Sequence, residues 1–177
     1  MDTKIKTSNN VRDLSIAALF IALSYAGSYL KVFGTIAFDS LPGFLAALLL
    51  GPAYGAAIGA LGHLFTAITS GFPLSVPMHL VISLTMALTM FGFGRVYRAL
   101  GGKASEIVRL AAAGITGLIL NAPVSLAASM AALALIAGSE AALGLLVMLP
   151  ALLAASAANI VLSLILFKRL EKFWNRT

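Results

Sequence analysis

The stretch Gly51-Pro-Ala-Tyr-Gly55-Ala-Ala-Ile-Gly59-Ala-Leu-Gly62-His63 decides the fold class of this chain. Spacings of three and four residues put its glycines on one face of a helix, leaving a groove where another backbone can come close. In water each such glycine weakens a helix by about 1 kcal/mol against alanine. Inside lipid the same residues promote association, because helices there pair through close van der Waals contact and not through exclusion of water. The stretch therefore predicts a tightly packed membrane bundle with a polar feature near His63.

Composition agrees. Of 177 residues, 60% are hydrophobic and only 10% charged, with mean hydropathy +1.02. A soluble domain carries roughly 25% charged residues, so a water-exposed surface cannot be built from this sequence. Cysteine is absent, which excludes disulfides and thiolate metal sites. The pI near 10 points to no nucleic-acid partner, because the placement of the charges accounts for it. The apolar run Leu14 to Leu30 follows a polar, mildly basic start. Tyr25-Ala-Gly-Ser-Tyr29 loosely resembles a cleavage site, but the run is long for a signal peptide, and a retained first membrane helix is expected.

With about 20 residues per span, six segments emerge. They run from Val11 to Leu30, Asp39 to Leu50, Pro52 to Ser70, Ser75 to Leu100, Ser105 to Ile136, and from the Leu145–Pro150 region to Phe173. Ser75 is the expected N-cap of the fourth, with Pro77 in its first turn. The second segment reaches only about 18 Å, against a hydrocarbon core of about 30 Å. The extended piece Val32 to Phe38 is expected to make up the depth. An interrupted segment of this kind marks a binding site. Pro123, after Asn121 in the fifth segment, marks a second one, since it frees the carbonyl four residues back.

The expected architecture is an all-α integral membrane protein: a single six-transmembrane-helix bundle over residues 1–177. Short tails fall at about 1–10 and 168–177. With both termini cytoplasmic, 11 of the 12 Lys and Arg lie inside, and only Lys31 lies outside.

Candidate binding residues then gather in the outer half of the bundle. Asp39 lies at the mouth of the short segment, as ligand contact or as helix cap. His63, Thr66 and Ser70 share a face of the third helix; His79, Ser83 and Met86 share one of the fourth. Asn121, Ser125 and Ser129 form a row on the fifth, and Asn159 and Ser163 lie on the sixth. Buried asparagines are expensive in lipid and must face inward, whereas Ser and Thr commonly bond their own backbone or join helices. His63 is expected to bridge helices and floor the pocket.

Several chemistries are excluded. No G-x-x-x-x-G-K-[ST] loop occurs, since Gly102-Lys103 is followed by Ala104, so this chain cannot hydrolyse ATP alone. The six acids, Asp2, Asp13, Asp39, Glu106, Glu140 and Glu171, are scattered, no metal-binding motif is present, and no cofactor is implied. An enzyme is not expected; a small secondary carrier is the alternative class, although only His63 offers an ionisable group at mid-membrane. Ala18, Ala22 and Ala26 make a small-residue face on the first helix, suited to internal packing or to docking a separate membrane subunit.

The basic N-terminus leading into Ala18-x-x-x-Ala22, the Asp39-Ser-Leu-Pro-Gly-Phe44 segment, Leu50-Gly-Pro-x-x-Gly55-x-x-x-Gly59 and Asn159 followed by Phe-Lys-Arg-Leu170 together resemble the substrate-binding (S) components of energy-coupling factor (ECF) transporters. The resemblance covers essentially the whole chain. It implies a subunit in a prokaryotic plasma membrane that captures a vitamin-like solute from outside. It also implies partners: a transmembrane coupling protein, docked at Ala18 and Ala22, and two cytoplasmic ATPases. The ligand is expected beneath the loops before Asp39 and around Phe72. Asp2 stands where the nickel and cobalt branch has a histidine, which argues against a metal substrate. A neutral or weakly basic, partly aromatic molecule fits better, with Phe72 or Tyr29 stacking and His79 and Asn121 bonding its polar edge. Gly62-His-Leu-Phe-Thr-Ala67, Gly71-Phe-Pro-Leu74 and Pro77-x-His79 are similar to S components for α-ribazole, a cobalamin precursor. Riboflavin and a thiamin precursor remain open at this point.

Overall fold

The computed structural model describes residues 2–32 and 36–174, with the side chains of 11–30 and 38–174. Helix α1 (Asp2–Gly27) leads into two short antiparallel strands, β1 (Lys31–Val32) and β2 (Ile36–Ala37), paired Lys31 to Ala37 and Val32 to Ile36. Then come α2 (Leu41–Leu49), α3 (Pro52–Thr69) and α4 (Val76–Ala99). Helix α5 (Glu106–Ile119) passes through a π-helical turn (Leu120–Val124) into α6 (Ser125–Ala137). A short α7 (Ser139–Gly144) and a 3₁₀ turn (Leu145–Met148) lead into α8 (Leu149–Trp174). The small hairpin is the extended piece expected before Asp39, and residues 33–35 of it lie outside the described residues.

Among the described residues three helical stretches are long and apolar enough to cross a membrane: Val76–Ala99, Glu106–Ala137 and Ser139–Trp174. Most of their surface points away from the protein, as it must where lipid replaces water. Helix α2 is the opposite case. Residues Pro42 to Leu49 are all buried, so this nine-residue helix is a central post enclosed by α1, α3, α4 and α8. Phe44 anchors it, meeting Phe93 of α4 edge-on at 5.0 Å between ring centroids. Gly117 of α5 makes room for both rings, since a Cβ there would lie 3.0–3.1 Å from them.

The glycines of α3 serve several neighbours and not the single groove that their spacing predicts. A Cβ at Gly55 would fall 2.5 Å from the Ala47 side chain of α2. One at Gly59 would meet Met90 of α4 at 2.6 Å, and one at Gly62 would meet Ser24 of α1 at 2.8 Å. Helix α3 is thus the hub on which three helices close at near-backbone contact. Gly51 begins it with φ +123°, against the Arg98 guanidinium.

Basic and aromatic side chains converge at the end of the bundle marked by this corner. Arg12 lies over Trp174, Arg109 lies 4.1 Å from the Tyr97 ring centroid, and Tyr97 packs edge-on against Phe167. Lys168 pairs with Glu106 at 2.7 Å and also with Glu171. These contacts bring α1, α4, α5 and α8 to one basic end. Ser105 caps α5 there by accepting from the Val108 N–H. Ser75 takes the N-cap position of α4 as expected, but with φ +94° and no side-chain capping bond.

Gly55→Ala is expected to destabilise the bundle by about 1–3 kcal/mol through overpacking, lowering the melting temperature in detergent. Gly114→Ala should leave it unchanged or raise it, because a Cβ there makes ordinary contact with Ile160 at 3.5 Å.

Candidate functional site

The far end of α2 creates the site. A helix leaves its first N–H groups without intrahelical partners, and here that end lies inside the protein. Ser40 holds the N-cap position without a side-chain capping bond. The acceptor comes from α8: Asn159 Oδ1 receives the Leu41 N–H at 3.0 Å. Its Nδ2 donates to the Ala155 carbonyl of its own helix, which fixes the amide. Asp39, expected as ligand contact or cap, does not cap α2. Its carboxylate accepts from Ser40 Oγ and, in a short hydrogen bond, from Thr66 Oγ1 of α3.

Next to it stand the two histidines. His63 Nδ1 lies 3.9 Å from the Asp39 carboxylate, and His63 Nε2 lies 3.1 Å from His79 Nδ1, the rings stacked at 5.3 Å. Two neutral rings at that separation share one hydrogen. The carboxylate favours the His63 hydrogen on Nδ1, so His79 Nδ1 donates to His63 Nε2. His79 Nε2 is then a bare acceptor, buried and without a partner among the described residues. Phe72 packs edge-on against His79 at 5.7 Å.

These residues flank a cavity with an open mouth. Asp39, Ser40 and His63 form one polar wall, and Asn121, Ser125 and Ser129 another. Asn159 and Ser156 come from α8. Ile82, Met86, Leu126, Leu145, Met148 and Leu152 supply much of the apolar lining. The π turn places Asn121: it absorbs the carbonyl that Pro123 frees and keeps α5 and α6 continuous. Asn121 Nδ2 donates to Ser156 Oγ at 2.7 Å, and its Oδ1 is buried with no partner among the described residues. Turning the amide would leave both Nδ2 hydrogens unbonded, whereas the orientation shown leaves one hydrogen and the oxygen.

Of the sequence candidates, Asp39, His63, Met86, Asn121, Ser125, Ser129 and Asn159 line the cavity together. The others stand behind it or beside it. Thr66 holds the Asp39 carboxylate, and Ser70 bonds back to the Thr66 carbonyl. Ser83 Oγ donates to the Ala60 carbonyl, tying α4 to α3. His79 orients His63, and Phe72 covers His79. His63 is both interhelical bridge and wall, as expected. Ser163 bonds its own helix at the Ile160 carbonyl. Ser156 was not singled out by the sequence; its only signal is its place one turn before Asn159, on the same face of α8. Ala18, Ala22 and Ala26 are exposed on the outside of α1, so they do not pack internally.

An apolar helical bundle around an open-mouthed cavity, mostly apolar with polar groups on two walls, and with no cluster of metal-ligating side chains among the described residues, defines a membrane protein built to bind a small solute. Residues 12–171 match the family described as ECF transporter, substrate-specific component, and the chain belongs to that family. Its members are substrate-binding membrane subunits, not enzymes, and they partner with a membrane coupling protein and ATPases. No curated protein and no solved structure matches the chain.

Asn159→Ala leaves the buried Leu41 N–H without its acceptor and is expected to destabilise the protein by about 1–3 kcal/mol. Ser163→Ala, which removes only a bond within its own helix, should have a much smaller effect. Melting temperatures of the two variants in the same detergent compare them.

Proposed function

We propose that this subunit captures a vitamin or vitamin precursor from outside the cell in the cavity between Asp39 and Asn121, and releases it inward together with a coupling protein and two ATPases. The observation that carries this reading is the cavity itself, built where the short α2 stops inside the bundle, in a chain of the S-component family. The basic end is the cytoplasmic one in this reading, with six membrane segments and both termini inside a prokaryotic plasma membrane. The concentration of Lys and Arg at that end supports it, as does the position of the cavity at the opposite end of α2.

The docking surface is the alanine face of α1. Ala18, Ala22 and Ala26 are exposed there, beside Leu19 and Leu23, on a side of α1 that none of the described residues covers. Small residues let a partner helix approach at backbone distance. The favoured substrate is α-ribazole, on the strength of the Gly62–Ala67, Gly71–Leu74 and Pro77–His79 pattern, with riboflavin and a pyrimidine precursor of thiamin next.

Uptake of radiolabelled α-ribazole by vesicles is expected only when the coupling protein and ATPases are co-expressed. Uptake at full rate by this chain alone, driven by a proton gradient, overturns the reading. Ala18→Leu combined with Ala22→Leu should abolish co-purification with the coupling protein and leave ligand binding intact. Normal assembly with lost binding would remove α1 as the dock.

A further inference from the structure

The hydrogen bonds that the cavity has left to make are mostly of one kind. The Ser40 hydroxyl donates to Asp39, and that of Ser129 to the Ser125 carbonyl. Thr85 Oγ1 donates to the Ile82 carbonyl, so in its 2.7 Å contact with Ser125 the serine is the donor. Three of the four wall serines, Ser40, Ser125 and Ser129, have therefore committed their hydrogens within the protein and keep only oxygens to offer, while the fourth, Ser156, accepts from Asn121 Nδ2. The Asn121 amide has its nitrogen on Ser156 and its oxygen unpaired. Asp39 is the one carboxylate in the wall, and no Lys or Arg lines it among the described residues. The nearest cation in sequence is Lys31, on β1.

A buried acceptor without a partner is unfavourable until a donor reaches it. A second anion beside Asp39, in a mostly apolar cavity, would lose its hydration with no Lys or Arg among the described lining residues to meet it. We propose that the cavity selects an uncharged or cationic solute that donates hydrogen bonds, to Asn121 Oδ1 and to the Asp39 carboxylate, and rejects solutes bearing phosphate or carboxylate groups. Ser156 is a positioning residue in this scheme: it holds the Asn121 amide with its oxygen free. The proposal rests on the solute-capture reading above and narrows its substrate class.

The test uses matched pairs that differ by one phosphate: α-ribazole and its 5′-phosphate, riboflavin and its 5′-phosphate, and 4-amino-5-hydroxymethyl-2-methylpyrimidine and its monophosphate. Binding to the full chain in nanodiscs is measured by equilibrium dialysis. At least one uncharged member is expected to bind, and its phosphate to bind at least 100-fold more weakly. A phosphate that binds as tightly as its partner overturns the proposal, including the case in which Lys31 supplies the charge. If none of the six binds, the small molecule that co-purifies with the chain is identified by mass spectrometry; an anion overturns the proposal and an uncharged donor upholds it.

Two variants then locate the acceptor, using whichever solute binds. Asn121→Leu should weaken binding at least tenfold, and Ser163→Ala, which removes only a bond within α8 away from the cavity lining, should stay within about threefold of the parent chain. Equal loss in both would reflect a general disturbance of the bundle and overturn the assignment to Asn121, and unchanged affinity in Asn121→Leu would remove Asn121 from recognition. Co-purification with the coupling protein and ATPases is scored separately. A chain that passes the binding tests but does not assemble would refute the transporter role and leave the solute class standing.

Discussion

The structure depends on one hydrogen bond made across 118 positions of sequence, from the Leu41 N–H to Asn159 Oδ1. A helix of nine residues spans about 14 Å, so α2 cannot cross a bilayer, and one of its ends must lie within the protein. Unpaired N–H groups at such an end are costly where water is scarce. Closing α2 with a side chain from α8 avoids that loss without extending the helix. The space that a full-length helix would fill is left as a cavity, and the polar groups that terminate α2 become part of its wall. The same economy explains Asp39. Relieved of capping, its carboxylate is held by Ser40 and Thr66.

Asn121 arrives on the opposite wall by a different device. Proline inside a helix removes one backbone bond and clashes with the preceding turn. Here a single π turn takes up the strain, and the helix continues from α5 into α6. Irregular backbone of this kind is stable at membrane depth only beside protein or a cavity, and Leu120–Val124 borders both. Two separate interruptions of regular helix thus border one cavity: the short α2 takes its cap from the Asn159 amide of α8, and the π turn places the Asn121 amide.

Much of this was legible in the sequence. Hydropathy gave the segments, and the length deficit of the second pointed to the end of α2. Asp39, Met86, Asn121, Ser125 and Asn159 followed from spacing on helices that must turn polar residues inward, and they meet at the cavity. Hydrogen-bond partners were not legible. Whether Ser83 faced a solute or the Ala60 carbonyl depends on an approach of α3 to α4 that periodicity does not encode. The capping role fell to Asn159 and not to Asp39 because of where α8 crosses α2, and Ser156 looked like any other membrane serine. The glycines misled in a similar way. Their spacing suggested one groove, whereas Gly55, Gly59 and Gly62 are far enough apart along α3 to receive a different helix each.

Helix α1 shows how little separates the outside of the protein from the site. Its inward side closes on backbone: Gly27 sits against the Phe38 carbonyl, where a Cβ would fall 2.5 Å away, and Ser24 sits against Gly62. Phe38 immediately precedes Asp39, and the same Gly62 position lies 3.3 Å from the Asp39 carbonyl. The outward side carries the alanines. At its Gly27 end the helix has Ser24 and Gly27 inward and alanines outward, so a shift there need not force long side chains through new rotamers, and close-packed interiors transmit such shifts instead of absorbing them. Any movement of α1 relative to α3 therefore acts on the chain that holds the Asp39 carboxylate in the cavity wall. One layer of helix, and no long chain of intermediaries, lies between the exposed alanine face and that carboxylate.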